Sequence, residues 1–219
     1  MRILTWNVER PALNSNRLPA IIENVKSYDA DIVVLTETSN NIPLGPQYHI
    51  FQTIQPVGDY KEEEIRVCIY SKFRAIERLE TYDPSVSVCV LLDTPFGELA
   101  VYGTIIGILG NRSREFDTAL ASQIEDLDRI ARTHKLCVAG DLNTSFSDNF
   151  YFTHQGRNAL QESFRRWNLV NVTRSVENNI DHIVISQDII RSVGDINLWN
   201  QDFKLSDHIG LAVDIENIG

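Results

Sequence analysis

Apolar residues recur along this chain with two periods, and the change from one to the other marks the elements. In 17–28, Leu18, Ile21, Ile22 and Val25 fall three and four apart, the spacing that places them on one helix face. In 114–132, Phe116, Leu120, Ile124, Leu127 and Ile130 form a second stripe, with Glu125, Asp126, Asp128 and Arg129 mainly off it. A third helix is predicted over 157–167. Short apolar or alternating runs at 2–8, 31–36, 48–54, 65–71, 74–80, 86–93, 98–106, 135–140, 180–186, 190–198 and 209–216 read as strands. Asp93-Thr94-Pro95-Phe96-Gly97 has the composition of a turn joining two of them. Strand-rich segments flanked by a few amphipathic helices predict an α/β (α+β) fold of two packed mixed sheets with helices outside.

Composition changes this picture little. The 219 residues are 43% hydrophobic and 23% charged, ordinary for a globular chain with a sizeable core. No Pro/Gly/Ser-rich linker divides them, so 1–219 is expected to be one domain. Met1-Arg2-Ile3 leads straight into a strand and no run of 18 apolar residues occurs, which predicts a cytoplasmic protein without a membrane span. Cys68, Cys89 and Cys137 sit inside apolar strands without metal-ligand spacing and read as reduced core residues. The net charge of −10 opposes long-range attraction to nucleic acid. Arg112, Arg114, Arg165, Arg166 and Arg174 nevertheless offer a local basic rim, whereas Lys61-Glu62-Glu63-Glu64 reads as a solvated acidic loop.

The candidate chemistry sits at strand ends. Asn7 closes Ile3-Leu4-Thr5-Trp6, Glu37 closes Asp31 to Thr36, and Asp141 closes Leu136 to Gly140, whereas Asp181-His182 opens Ile183-Val184-Ile185 and Asp207-His208 opens Ile209 to Val213. Taken singly, each is as well explained as a turn or cap residue. If the last two strands run antiparallel to the first three, all five motifs reach one edge, with four carboxylates, two carboxamides and an imidazole. So many acids resist ionising together unless a cation sits among them. Carboxylate and carbonyl oxygens suit Mg²⁺ or Mn²⁺, and magnesium commonly completes its shell with water and substrate phosphate. The inferred substrate is a phosphodiester or phosphomonoester.

In this order, Trp6-Asn7-Val8, Thr36-Glu37-Thr38, Gly140-Asp141-Leu142-Asn143, Asp181 and Ser206-Asp207-His208 resemble the signature of the endonuclease/exonuclease/phosphatase superfamily, which includes exonuclease III, pancreatic deoxyribonuclease, neutral sphingomyelinases and inositol polyphosphate 5-phosphatases. The resemblance spans residues 3 to 213 and implies a four-layer α/β/β/α sandwich and a metal-dependent phosphoesterase acting on a phosphate ester, nucleic acid among the possibilities. It implies that Glu37 and Asn7 serve the metal, with Asp207 in the same metal or water network. Asp141 would orient and deprotonate the attacking water, and Asn143 would donate to a phosphate oxygen or the nucleophile. His208, held by Asp181, would stabilise the pentacovalent phosphate. One position departs: where family members place a His or Tyr after a strand like Leu99 to Thr104, this chain has Ile105. Either Arg112 and Arg114 take over that phosphate contact, or the site is slowed, by roughly 10²–10³ for one lost donor. The alternative is a binding or scaffold protein on the same fold. His182, one residue from Asp181, would face the opposite side of its strand and is expected to be structural; His134 reads as a helix end, His154 as off the site, and Trp167 and Trp199 as core.

Overall fold

The structure, a computed structural model, describes residues 1–40, 42–56 and 61–217. Its elements in chain order are β1 (Arg2–Asn7), α1 (Arg17–Ser27), β2 (Ile32–Ser39), β3 (His49–Gln52), β4 (Glu64–Ser71), β5 (Ala75–Leu79), β6 (Ser87–Thr94), β7 (Gly97–Ile105), α2 (Arg114–Ala131), β8 (Lys135–Asp141), α3 (His154–Arg166), β9 (Leu169–Asn171), β10 (Asp181–Ser186), β11 (Ile190–Trp199) and β12 (Gly210–Asn217). The strands form two six-stranded sheets, ordered β11-β12-β1-β2-β4-β3 and β5-β6-β7-β8-β10-β9. Both are mixed, because β1–β2 and β7–β8 pair in parallel while their other neighbours are antiparallel.

Strand alternation sorts the side chains into layers. Ile3, Val34, Val67, Val101, Ala139 and Ile183 meet in one core between the sheets. Their neighbours in sequence turn outward: Leu4, Trp6 and Val33 against Leu18, Ile21 and Val25 of α1, and Leu136, Val138 and Val184 against Phe116, Leu120 and Leu160 of α2 and α3. Helix, sheet, sheet and helix layers follow, as expected. The sheets approach closely at Gly103, where a Cβ would lie 2.9 Å from Val67 Cγ1.

Two local readings change. The third helix starts at His154 rather than 157, because Thr153 Oγ1 accepts the Gly156 N–H at 3.0 Å and closes the first turn early. The three-residue β9 is too short to show a period, yet it pairs with β10 directly after α3. His134 lies just past α2, its N–H reaching the Ile130 carbonyl. Trp199 is core, stacked on Tyr28 at 4.4 Å and edge-on to Trp6 at 5.5 Å.

Candidate active site

The antiparallel arrangement anticipated for the late strands is present, so the polar strand ends meet at one edge, in the seam between the sheets. In the second sheet Asp141 pairs directly with Asp181, and the parallel β7–β8 register puts Ile105 on the other side of Asp141. Asp141 shares the inward face with Cys137 and Ala139, and Asp181 with Ile183 and Ile185. In the first sheet Asn7 follows Ile3 on the inward face. Asn7 Nδ2 donates within its own sheet to Glu37 Oε1 and across the seam to Asp141 Oδ2, each at 3.3 Å. The Glu9 N–H donates to Asn7 Oδ1 at 3.0 Å, which identifies the nitrogen end of the amide independently.

His208 enters from the loop before β12, and the first motif holds that loop. Ser206 Oγ donates to the Asn7 carbonyl at 2.7 Å and accepts the His208 N–H at 3.2 Å, while Trp6 Nε1 donates to the His208 carbonyl at 3.0 Å. Asn200 Nδ2 adds bonds to the Ser206 and His208 carbonyls. The imidazole Nδ1 lies 2.5 Å from Asp181 Oδ2. Burial works against its charge, but the Asp181 carboxylate, with Asp141 and Asp207 beyond, carries the His208 pKa up to about 10. His208 is therefore a cation at neutral pH. Asp141 goes the other way from an ordinary acid: burial first, then the Asp181 charge, pushes it up to about 7. Asn143 N–H, 2.8 Å from Asp141 Oδ1, steadies the carboxylate.

His182 is structural, as expected. It is fully buried on the outer face of β10, with Nδ1 3.2 Å from Thr173 Oγ1 and Nε2 3.0 Å from the Thr144 carbonyl, and burial drives its pKa down to about 3.

Three expected roles sit differently. The Asn143 amide was expected to donate into the site, but its Nδ2 donates to the Ile106 and Gly107 carbonyls at 3.0 and 3.2 Å, so it ties down the segment after β7. Asp207 lies at the rim: its side chain is 71% exposed and 3.9 Å from His208 Nε2. Arg112 and Arg114 flank Ser113, the N-cap of α2, where both are exposed and neither is bonded to the seam cluster among the described residues. The cations beside Ile105 are Arg10 and Arg66, which line a small cleft of about 40 Å³ with Glu37, Glu64 and Ile108. Arg10 Nε is 2.9 Å from Glu37 Oε2, and Arg66 Nη1 donates to Ser85 Oγ. Nothing in the sequence pattern singled out Arg10, because its placement depends on an irregular turn. Glu9, Arg10, Glu37 and Asn143 make up four of the nine non-glycine residues with positive φ among the described residues, so backbone strain gathers here.

The donor set fits a hard dication. Glu37, Asp141 and Asp181 offer only oxygen, Asp181 Oδ1 is buried without a hydrogen-bond partner, and Asp141 is held up in pKa by its acidic neighbour. Among the described residues, no three His, Cys, Asp or Glu side chains gather closely enough to cage an ion unaided. Asn7 Nδ2 and Arg10 supply the positive partners that Glu37 and Asp141 have as they stand. No helix among the described residues is long and apolar enough to cross a membrane.

Comparison with solved structures gives the same fold at low identity. An AP endonuclease from Archaeoglobus fulgidus superposes with TM-score 0.74 at 16% identity, covering 99% of each chain. An endonuclease/exonuclease/phosphatase from Beutenbergia cavernae gives 0.73 at 18%, covering 100% of this chain and 72% of that one. The 3′ phosphatase NExo from Neisseria, solved with a product DNA hairpin, gives 0.70 at 17% and 99% of each chain. No curated protein sequence matches significantly. The sequence profile of the Endonuclease/Exonuclease/phosphatase family matches residues 4–208, a span that contains every side chain of the seam, and the chain belongs to that family.

Proposed function

We propose that this protein hydrolyses phosphodiester or phosphomonoester bonds with Mg²⁺ or Mn²⁺ bound at Glu37, beside Asn7. The observation that carries the reading is the meeting, across one seam, of a raised-pKa carboxylate, a carboxylate-held imidazolium and a carboxamide that touches both sheets. Asp141, at the back of the seam, takes a proton from the attacking water. As the water oxygen bonds to phosphorus and the ester P–O bond breaks, His208 presents Nε2–H to the phosphoryl oxygens, where negative charge builds. Asp181 keeps Nδ1 protonated, which fixes the ring orientation and the positive charge. When bound, the dication would polarise a phosphoryl oxygen as a Lewis acid. Asn143 holds the segment carrying Ile105 against Asp141. The DNA end-processing and DNA-cleaving names among the solved structures make a nucleic acid phosphate the first substrate class to assay. Kinetics on bis-p-nitrophenyl phosphate check the roles: His208→Ala and Asp141→Asn should each lower kcat by about 10³-fold or more, with the fold retained. Wild-type turnover in either variant would remove its assignment.

Two observations favour a second reading, of a slow enzyme or a binding protein. Ile105 brings no donor to the position beside Asp141, and Arg10 occupies one oxygen of Glu37. Turnover that stays undetectable with every metal and every phosphate ester would establish that reading.

A further inference from the structure

A second cleft lies outside the seam, between the end of α3 and β9. Phe146, Phe164, Leu169 and Val170 form its apolar wall, Gln161, Asn171, Arg165 and Arg174 its polar lining, and its volume is about 310 Å³. Three features distinguish it from a packing gap. Arg165 and Arg174 are exposed and join no ion pair among the described residues, although the chain carries a net charge of −10 and the next residue, Arg166, is paired with Asp128. Two unpaired guanidiniums beside one cleft repel each other, and an anion relieves that repulsion. Asn171 is 8% exposed; its Oδ1 accepts the N–H of Thr173 at 3.1 Å, which fixes the amide orientation and leaves Nδ2 buried with no partner among the described residues. An orphaned buried donor of that kind is unfavourable until an acceptor reaches it. Apart from Gln161, the rest of the lining is aromatic and aliphatic, with Phe146 and Phe164 centred 6.1 Å apart.

Paired arginines suit phosphate, an apolar wall with aromatic rings suits a heteroaromatic ring, and a single amide donor suits a ring nitrogen or carbonyl. The volume is that of a small-ligand site. We propose that this cleft binds one nucleotide, with its phosphate on Arg165 and Arg174, its base against the Phe146–Leu169 wall and an acceptor on the base facing Asn171 Nδ2. The cleft is coupled to the seam through Phe146, which packs edge-on to His182 at 4.8 Å, and His182 in turn meets the Thr144 carbonyl three residues beyond Asp141. Asn171 pairs with Val184, three residues along β10 from Asp181, or about 10 Å at the rise of a strand. The nucleotide can thus belong to a nucleic acid strand running out of the seam or be free in solution.

Binding is measured by calorimetry in EDTA, so the result does not depend on hydrolysis. The probes are adenosine 5′-monophosphate, a deoxyadenosine pentanucleotide and inorganic phosphate. The proteins are wild type, His208→Ala, Asn171→Asp and the double variant Arg165→Gln/Arg174→Gln, each checked for a wild-type melting profile. The mononucleotide is expected to bind wild type and His208→Ala alike and more tightly than phosphate does. It should weaken by about tenfold or more in the double variant, and also in Asn171→Asp, which keeps the Thr173 contacts but replaces the donor by an acceptor. Tighter binding of the pentanucleotide assigns the cleft to a substrate strand; equal or weaker binding assigns it to a free nucleotide. Absence of mononucleotide binding, binding unchanged in either cleft variant, or phosphate binding as tightly as the mononucleotide would overturn the proposal.

Discussion

Buried acids that face each other across β8 and β10 give the site its character, and they should leave a thermodynamic trace. With its pKa raised to about 7, Asp141 favours the folded state only while protonated; that stability is complete below its unfolded value near 4 and is lost as pH rises through 7. Asp141→Asn removes the titration. In EDTA the variant should therefore be more stable than wild type at pH 8, by about 2–4 kcal/mol, with the difference vanishing below pH 4. Urea unfolding at the two pH values checks this, and an equal or less stable variant at pH 8 would show that Asp141 is not held under strain. His208 has a raised pKa too, so its pairing with Asp181 stabilises the fold fully below about 6.5 and the contribution is lost as pH rises through 10. The residues legible in the sequence were those for which position along a strand decides everything: Asn7, Asp141 and Asp181 face inward by alternation alone. Arg10 was not legible, because it reaches Glu37 through positive-φ backbone at Glu9 and Arg10 that no periodicity encodes. The bonds of the Asn143 amide were not legible for a related reason, since its left-handed backbone turns Nδ2 toward the Ile106 and Gly107 carbonyls.

At the scale of elements, the register between β7 and β8 sets the site, and Gly140 protects it. Gly140 has φ +133°, and a Cβ there would lie 2.1 Å from the Thr104 carbonyl oxygen, so only glycine lets the two strands pair with Ile105 beside Asp141. Gly140→Ala should cost about 3 kcal/mol or more in urea unfolding and lower kcat as well, because Asp141 moves with the register. A neutral effect on stability would mean that the strands accommodate the methyl group. At the start of α2, Ser113 Oγ accepts the Phe116 N–H at 3.1 Å, and Ser113→Ala should cost only about 1 kcal/mol with kcat unchanged, since the helix packs on the outer face of its sheet. Long strands and amphipathic helices were readable because each exposes one face to a core. The short β9 and the early start of α3 were not, as one rests on pairing with a distant strand and the other on a single Thr153 cap.

For the molecule as a whole, one sheet built from both ends of the chain and one built from its middle each supply part of one acidic seam. The antiparallel return of β10 and β12, anticipated from where the motifs begin and end, closes that seam. A cation that binds there favours the folded state by mass action, so Mg²⁺ or Mn²⁺ should raise the melting temperature in a concentration-dependent way, and Glu37→Gln should abolish the rise. What sequence could not supply at this scale was the pairing of Asn7 with both sheets at once, because residues 7 and 141 meet only through the stacking of two separately built sheets. The central claim is a metal-dependent phosphoesterase, and hydrolysis tests it most directly. Single-stranded DNA, abasic duplex DNA, RNA, bis-p-nitrophenyl phosphate and inositol phosphates would be assayed with Mg²⁺, with Mn²⁺ and with EDTA, using wild type and Glu37→Ala. The account predicts turnover of at least one substrate that requires the metal and is lost in the variant; turnover that persists in EDTA or in Glu37→Ala, or none on any substrate, would contradict it.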